Sequence, residues 1–522
     1  MSMENREAAM NVRPKGGFFD HPYTAYGVFG LLWVAACIPV VLPNDLPLQD
    51  YPSHIARLYI LHDGMLNATI SSFFGVNWHF VANLALEIFT YPLVGLFSPD
   101  IAGRIFICTS FFMLTSGTIW VHRALGGKGY WPYLSFLFLY SDVLLYGFIA
   151  FLFSCGLALW IFALWLRVRQ SKATIRLALF TALSFVLLIS HLFAFCFYAL
   201  MLGSYELSRL IRRKKNGEIV LNRNFLVGVL QFIPAIILFI ANSETADAAN
   251  LFILGSVKTK LSGMAALISF YNLKLQLGLI WLCGFTLYIL HHKNKLKMHQ
   301  DMRVFLGLAL VIFLTSPVKA FASFYLDYRM PSAFIFAALA SVGTQNLSRK
   351  NTRLYVGLLV TLCMAQYAYM GAKWVSYDAS YEKLYEITED LQEGDTLMHV
   401  TMSKSIIAEN LAQPYVHTPS WLLISKTVIT PYIFADPRHQ PIYYRQDFSQ
   451  TGRSGYIEAL IPHQETPQLA EEFDALNSEN YIQFKYLILI NFPREFMQDS
   501  KIWHEQKSLG PYVLYKNTLL EN

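Results

Sequence analysis

Charge is scarce in this chain. Of 522 residues only 15% are Asp, Glu, Lys or Arg, while 55% are hydrophobic. That composition, drawn out into many long apolar runs, excludes a soluble enzyme and describes an integral membrane protein. Cysteine is scarce too. Cys37, Cys108, Cys155, Cys196, Cys283 and Cys363 all fall inside apolar runs. They show no metal-ligand spacing and imply no disulfide framework, so the polar C-terminal stretch, which has none, must fold by packing alone. The chain lacks a basic stripe interleaved with exposed aromatics and lacks any finger or helix-turn-helix signature, which excludes nucleic-acid partners. Internal repeats and low-complexity segments are absent as well.

What is present begins with the placement of positive charge. The net charge of +6 is modest, but the basic residues gather in short loops, and the positive-inside rule turns these into a topology. Arg6, Arg13 and Lys15 put the N-terminus in the cytoplasm. The first apolar run, 24–42, is a retained span. Val34-Ala35-Ala36-Cys37 looks like a lipoprotein cleavage box, but the run continues past Cys37. The next basic loop holds Arg123 and Lys128. Two apolar runs, 78–97 and 101–121, lie between, and parity lets only one of them cross. We expect 78–97, which contains Asn83 and Glu87, to lie at the interface inside a long first external loop, 43–100, that carries two helices on the membrane. The alternative is a crossing with one loop of the wrong charge.

From there a span from Tyr130 reaches an external turn at Ser141-Asp142. Further external turns fall at Ser190-His191, 242–269 and 317–330. Basic loops at 167–176, 209–215, 293–297 and 349–353 lie inside. Spans over 225–241, 304–316, from Pro331 onward and over 354–369 bring the count to about eleven. The C-terminus is then opposite the N-terminus. The fold class is mainly α: a polytopic helical membrane domain over residues 1–374, followed by an extracytoplasmic (periplasmic) α/β domain over 375–522. In that tail Tyr381–Leu391 reads as an amphipathic helix. Runs at 396–400, 486–490 and 512–515 read as buried strands. No signature of catalysis stands out in the tail, which reads as an acceptor-binding or lid domain.

The stretch from Asn44 to Arg57 organises the rest. It leaves the membrane directly after the first span. Pro52 suits the first turn of a helix, and His54 and Arg57, three apart, share a face of it. Asp50 lies at or just before the helix start. An acid, an imidazole and a guanidinium thus meet at the rim of a membrane domain, where polar clusters mark sites. Other polar residues fall on the same side: Asp45, Asp142, His191, Lys319, Asp327, Tyr328 and Arg329. Each has a plainer reading. His191 suits a satisfied histidine between spans, Asp142 a helix cap, and Lys319 and Arg329 headgroup anchors. His291-His292 sits in a lysine-rich loop and reads as solvated surface. Asn67-Ala68-Thr69 matches a glycosylation sequon weakly. Taken together, acids and cations on one face suit chemistry on a lipid-linked phosphate. Lys, Arg and His⁺ bind the phosphate and stabilise it as a leaving group. A carboxylate serves as general base toward an acceptor hydroxyl. Asp50 and Asp45 are also candidate ligands for a divalent ion, which favours oxygen.

On these residues the chain resembles the GT-C superfamily of polyprenyl-phosphate-dependent glycosyltransferases, including its aminoarabinose-transferase and protein-mannosyltransferase-like members. The resemblance covers roughly residues 20–375. It rests on Asp50 just after the first span, Tyr91-Pro92-Leu93 in a second interfacial helix, Arg104 opening the following span, Ser141-Asp142, Ser190-His191, and Tyr328-Arg329-Met330-Pro331. Two departures stand out: Asp45 and Asp50 are five apart and form no double-acid motif, and His191 replaces a lysine. The resemblance implies an inverting transferase in the bacterial inner membrane. It would move a sugar from a polyprenyl-phosphate donor to a glycan, lipid or protein acceptor. Asp50 would activate the acceptor hydroxyl. His191, Lys319 and Arg329 would neutralise the departing phosphate, and His54 and Arg57 would orient the loop or touch the acceptor. The competing readings are a transporter or flippase of lipid-linked sugars, which would want polar residues at mid-membrane and repeated halves, and a non-catalytic assembly subunit.

Overall fold

The computed structural model describes residues 22–217, 223–242, 252–293, 295–320, 325–344, 348–401, 414–445 (save 432 and 436–439), 483–491 and 497–520 (save 498 and 499). Arg6, Arg13 and Lys15 lie outside these. Helix α1 (Pro22–Val41) has twenty residues and no charge, so it rises about 30 Å, the thickness of a hydrocarbon layer. Its exit is fixed from the side. Arg104, on α5 (Pro99–Ala124), donates to the carbonyls of Val40, Pro43 and Asn44 at 2.7–2.9 Å, with Nε 2.7 Å from Asp100.

Between them run α2 (Tyr51–His62), α3 (Ala68–Phe73), strand β1 (Phe74–Val76) and α4 (Ala85–Val94). Asn67 caps α3 by accepting from the Ile70 N–H at 3.0 Å, and its amide donates to Glu393 at 3.1 Å. The asparagine of the sequon is therefore engaged in the fold. The ten residues of α4 rise only about 15 Å, half of what a crossing requires.

Helix α5 packs along α7 (Ile149–Arg167), and this is the most extensive helix pair. Gly156 is what allows it, since a Cβ there would lie 2.6 Å from Met113 Cβ and 2.8 Å from the Leu114 nitrogen. The segment that leads from Tyr130 toward Asp142 differs from expectation. It is a 3₁₀ helix, Trp131–Phe138, then the short α6 (Asp142–Leu145), and it is buried among other helices instead of facing lipid. Its greater rise per residue covers depth with fewer residues. Non-α backbone is tolerated there because protein surrounds it and supplies partners: Tyr355 Oη donates to the Trp131 carbonyl (3.2 Å), Tyr367 Oη to Phe136 (2.9 Å) and Tyr140 Oη to Ala36 (2.7 Å).

Helices α8 (Ala173–Ser190) and α9 (Leu192–Lys215) follow, hinged at His191. The run at 225–241 is split into α10 (Arg223–Leu230) and α11 (Ile233–Asn242), broken just before Pro234, which has no N–H to continue the ladder. Then come β2 (Phe252–Leu254), α12 (Val257–Ala265), α13 (Leu273–His292), β3 (Leu296–Met298), α14 (Arg303–Thr315), β4 (Pro317–Ala320), α15 (Leu326–Ser341) and β5 (Val342–Thr344). β2 pairs with β4, and β3 with β5, both antiparallel. His291 and His292 are exposed, as solvated residues should be. Among the described residues six helices are long and apolar enough to cross a membrane, counting α10 and α11 together as 223–242; α4, residues 131–145 and residues 273–289 of α13 are shorter apolar segments.

Helix α16 (Arg349–Ile387) corrects a boundary. Sequence reading ends one helix near Tyr369 and begins another at Tyr381, yet the structure has one helix of 39 residues with no break at Trp374. No proline or glycine pair interrupts it, so nothing stops the ladder where the composition turns polar. Beyond it, β6 (Leu397–Thr401), β8 (Tyr486–Ile490) and β10 (Tyr512–Asn517) match the three expected runs to within two residues. They form a sheet in the order β6-β8-β10-β9. Strand β9 (Trp503–Leu509) was not expected; it is an edge strand with exposed His504, Glu505 and Gln506, so it has no apolar run. The first loop does not simply lie on the membrane. β1 pairs antiparallel with β7 (Ile442–Tyr444), and α2 packs on α17 (Trp421–Lys426). One apolar cluster joins Ala56, Ile60, Ile70 and Phe74 of the loop to Met398, Leu423, Leu487 and Trp503 of the tail.

Candidate active site

Asp50 occupies the N-cap position of α2 with its backbone in the αR region, and its side chain makes no cap hydrogen bond. It is held from behind. The Gln49 and Asp50 N–H groups donate to the carbonyls of Leu145 and Tyr146 at 2.9 and 3.1 Å. Gly147, at φ +88°, lies so close that a Cβ would come within 2.9 Å of the Asp50 nitrogen and Cβ. Burial lifts the Asp50 carboxyl to about 7, and this outweighs the opposing pull of Arg329, the Gln49 hydrogen bond and Arg57. A carboxyl near 7 is half-ionised at neutral pH, which is what a general base needs.

Arg329 is the cation that acts most strongly on Asp50, and it also acts on His191. Its guanidinium sits 3.8 Å from the centroid of Phe148. The helix that carries it begins earlier than expected: α15 starts at Leu326, which places Asp327, Tyr328 and Arg329 in its first turn, not in a loop. Arg329 is also the one charged residue lining a cavity of about 90 Å³ between α7, α9, α14 and α15, otherwise walled by Phe151, Phe193, Phe197, Ile312, Met330 and Phe334 among others. A guanidinium thus lines an otherwise apolar slot.

His191 stands at the same hinge. It N-caps α9, its Nδ1 accepting from the Phe193 N–H at 3.2 Å, so the ring proton belongs on Nε2. Burial first, then Arg329, pushes its pKa well below the ordinary histidine value. Its charged form is disfavoured there, which leaves Nε2–H as a hydrogen-bond donor. Asn83, at φ 95°, accepts from the Leu192 N–H at 3.3 Å, and the Asn83 and Leu84 N–H groups donate to the Ile189 carbonyl. The first loop is thereby tied to the hinge.

His54 and Arg57 share the α2 face as expected. Arg57 is only 2% exposed. Its Nε donates to Glu87 Oε1 at 2.8 Å, its Nη2 reaches the same oxygen, and Nη2 lies 3.0 Å from His54 Nδ1. The guanidinium is engaged inside the protein and orients the loop against α4. Glu87 was visible in the sequence as a charge within an apolar run, but its partner was not. Asp142 is buried and accepts from Gln276 at 3.3 Å, while Ser141 does the capping of α6. It lies near Tyr328, itself buried. Lys319 sits on β4 opposite Ile253. Asp45 accepts from Tyr385 at 2.9 Å; burial raises it to about 6, the Tyr385 hydrogen bond opposes this, and Asp100 adds to it. Asp45 and Asp50 therefore answer to different neighbours. Among the described residues no three His, Cys, Asp or Glu side chains are placed to hold a metal.

The residue that sequence reasoning missed is His417, in the tail. Its Nε2 lies 3.5 Å from Asp50 Oδ1. Nearby, the Ser53 and Ser420 hydroxyls are 3.2 Å apart, and Tyr51 meets Trp421 edge to face.

No protein-family model matches the chain, and no curated protein matches it in sequence. Among solved structures it is similar to ArnT from Cupriavidus metallidurans bound to undecaprenyl phosphate, with a TM-score of 0.51 and 12% identity over 95% of this chain and 98% of that one. The same ArnT in its apo state gives a TM-score of 0.49 at 12% identity, over 94% and 97%. The chain therefore has the overall fold of ArnT.

Proposed function

We propose that this protein is a multi-pass membrane glycosyltransferase. It takes a sugar from a polyprenyl-phosphate donor and passes it to a hydroxyl on a glycan, lipid or protein acceptor, on the side where the tail sits. The observation that carries this reading is that Arg329, the charged residue lining the apolar cavity, is also the cation that acts most strongly on Asp50. The ArnT to which the chain is similar was solved with undecaprenyl phosphate bound. A greasy isoprenoid suits the phenylalanine-walled slot, and its phosphate suits the guanidinium that lines it. His191 Nε2–H adds a neutral donor for a phosphate oxygen.

The step is a single displacement with inversion. The acceptor oxygen attacks the anomeric carbon as its proton passes to Asp50. The bond from that carbon to the phosphate oxygen breaks, and polyprenyl phosphate leaves with the electron pair. Arg329 stabilises the charge that gathers on the leaving oxygen. The reading places the protein in a bacterial inner membrane with the tail periplasmic.

The test is transfer from a labelled polyprenyl-phosphate sugar to an acceptor fraction in proteoliposomes. Asp50→Asn should lower turnover by about 10²–10⁴-fold, the range for loss of a general base. Arg329→Ala should impair the chemical step more than donor binding. Equal transfer by wild type and Asp50→Asn would remove Asp50 as the base. Movement of the donor across the bilayer without transfer would replace the reading with transport.

A further inference from the structure

Three histidines from two distant parts of the chain converge beside Asp50. His417 and His399 come from the tail, with ring centroids 6.5 Å apart, and His54 comes from α2. Phe434 packs against both His54 (5.5 Å) and His417 (5.2 Å). His399 Nε2 is turned away to the Val416 carbonyl at 2.7 Å, while His417 Nε2 lies 3.5 Å from Asp50 Oδ1. The apposition is fixed on both sides. His417 is 9% exposed and directly precedes the 3₁₀ turn Thr418–Ser420, whose Ser420 meets Ser53; Asp50 is pinned to the Leu145–Gly147 turn.

We infer that His417 is a positioning residue for Asp50: its Nε2–H faces the carboxylate, orients the oxygen that receives the acceptor's proton, and makes the docked tail part of the active site. This rests on the reading of Asp50 as the base. The charged and titratable groups that face Asp50 are Arg329 on α15, Arg57 on α2 and His417 from the tail; those that face His417 are Asp50, His54 and His399. The histidines do not compete for protons near neutrality. Burial lowers His417 to about 4 and His399 to about 3, and lowers His54 well below its ordinary value. Of the groups that face Asp50 and His417, Asp50 alone changes charge between pH 6 and 8; Asp45, raised to about 6, and Asp142, raised to about 7, titrate in the same window, so the acid limb of a pH–rate profile is assigned to Asp50 by its displacement in the His417 variants.

A neutral N–H pointing at a carboxylate favours the ionised form, so its removal raises the carboxyl pKa. The experiment compares pH–rate profiles of full-length wild type, His417→Phe and His417→Gln in proteoliposomes with a labelled polyprenyl-phosphate sugar. His417→Phe keeps an aromatic ring against Phe434 and loses the donor; His417→Gln keeps an N–H. The expected result for His417→Phe is an acid limb moved up by about one pH unit, with turnover at pH 6.5 down by about tenfold and the KM for donor unchanged. His417→Gln should bring the limb back toward wild type. If His417→Phe does not fold, His417→Leu takes its place with the same expectation. An acid limb that coincides with wild type in the donor-less variant overturns the inference while leaving Asp50 as the base. A His417→Gln limb displaced as far as the donor-less one overturns it too, because packing alone would then be responsible. Full activity of Asp50→Asn in the same assay overturns both readings together.

Discussion

Gly147 is where backbone geometry and chemistry meet most closely. Its φ of +88° is a conformation that L side chains rarely adopt, and its Cα hydrogen faces the Asp50 backbone. Gly147→Ala should therefore do two things: cost about 1–3 kcal/mol of stability through strain, and push Asp50 off its line to the acceptor. Turnover should fall at least about tenfold, while a control such as Gly278→Ala, where a Cβ meets nothing within 4 Å, changes little. Thermal unfolding and transfer rates on purified protein check both. Asp50 itself ties activity to pH and stability to pH in opposite senses. Its carboxyl is raised to about 7, so the folded state holds a proton that the unfolded state has released. Its contribution to stability is full below the ordinary carboxyl range, falls as pH rises from about 4 to 7, and is flat above. Turnover, which needs the ionised form, rises over the upper part of the same window. Asp50→Asn should flatten the stability slope between pH 4 and 7 as it removes activity. The Arg57–Glu87 pair should be the largest single destabilisation: removing either partner leaves a buried charge and costs about 3–5 kcal/mol. The double variant Arg57→Met, Glu87→Leu should recover part of that loss.

At the scale of elements, the sequence was most legible where a local pattern suffices. The apolar runs at 24–42 and 101–121 became α1 and α5, and Pro52 with Asp50 became the start of α2. The buried runs at 396–400, 486–490 and 512–515 became three strands of one sheet. Legibility failed where a neighbour decides. Trp131–Phe138 reads as a membrane helix because it is apolar, but it is surrounded by protein, and tyrosine hydroxyls from α16 take its carbonyls. Helix α16 was cut in two because composition changes at Trp374, yet hydrogen bonding along a helix is indifferent to which solvent surrounds it. Its continuity has a mechanical consequence. It is fixed in the bundle by Tyr355 and Tyr367, and at the tail by Asp378 to the Asn44 N–H, Tyr381 to Pro414 and Tyr385 to Asp45. One alanine inserted after Ala372 would turn everything beyond it by about 100° and advance it by about 1.5 Å. Expression and membrane insertion should survive this, and transfer should not. Retained transfer would show that the tail's placement does not depend on α16.

At the scale of the molecule, the candidate site was half legible. Asp50, His54, Arg57, His191 and Arg329 were named because each lies beside a membrane run, and the fold draws them around one loop. Lys319 lies on β4 opposite Ile253, Asp45 accepts from Tyr385, and His417 gave no signal. Local spacing carries no information about a contact such as Ser53 to Ser420, which are 367 residues apart. What joins them is shared apolar burial: without the tail, Ala56, Ile60, Ile70 and Phe74 would face water, and without the first loop so would Met398, Leu423 and Leu487. The two segments share one apolar cluster, and if His417 positions Asp50 as inferred, their docked form is the working form. A covalent lock tests this directly. Ser53→Cys with Ser420→Cys replaces hydroxyls 3.2 Å apart, both fully buried, within reach of a disulfide after small adjustments. Mild oxidation should link the pair, as read by mass spectrometry of the joined peptides, and the linked protein should transfer sugar at a rate comparable to its reduced form. Loss of transfer on oxidation, restored by a reductant, would mean that the tail must lift off α2 in each cycle, and that the contact between His417 and Asp50 belongs to a resting state.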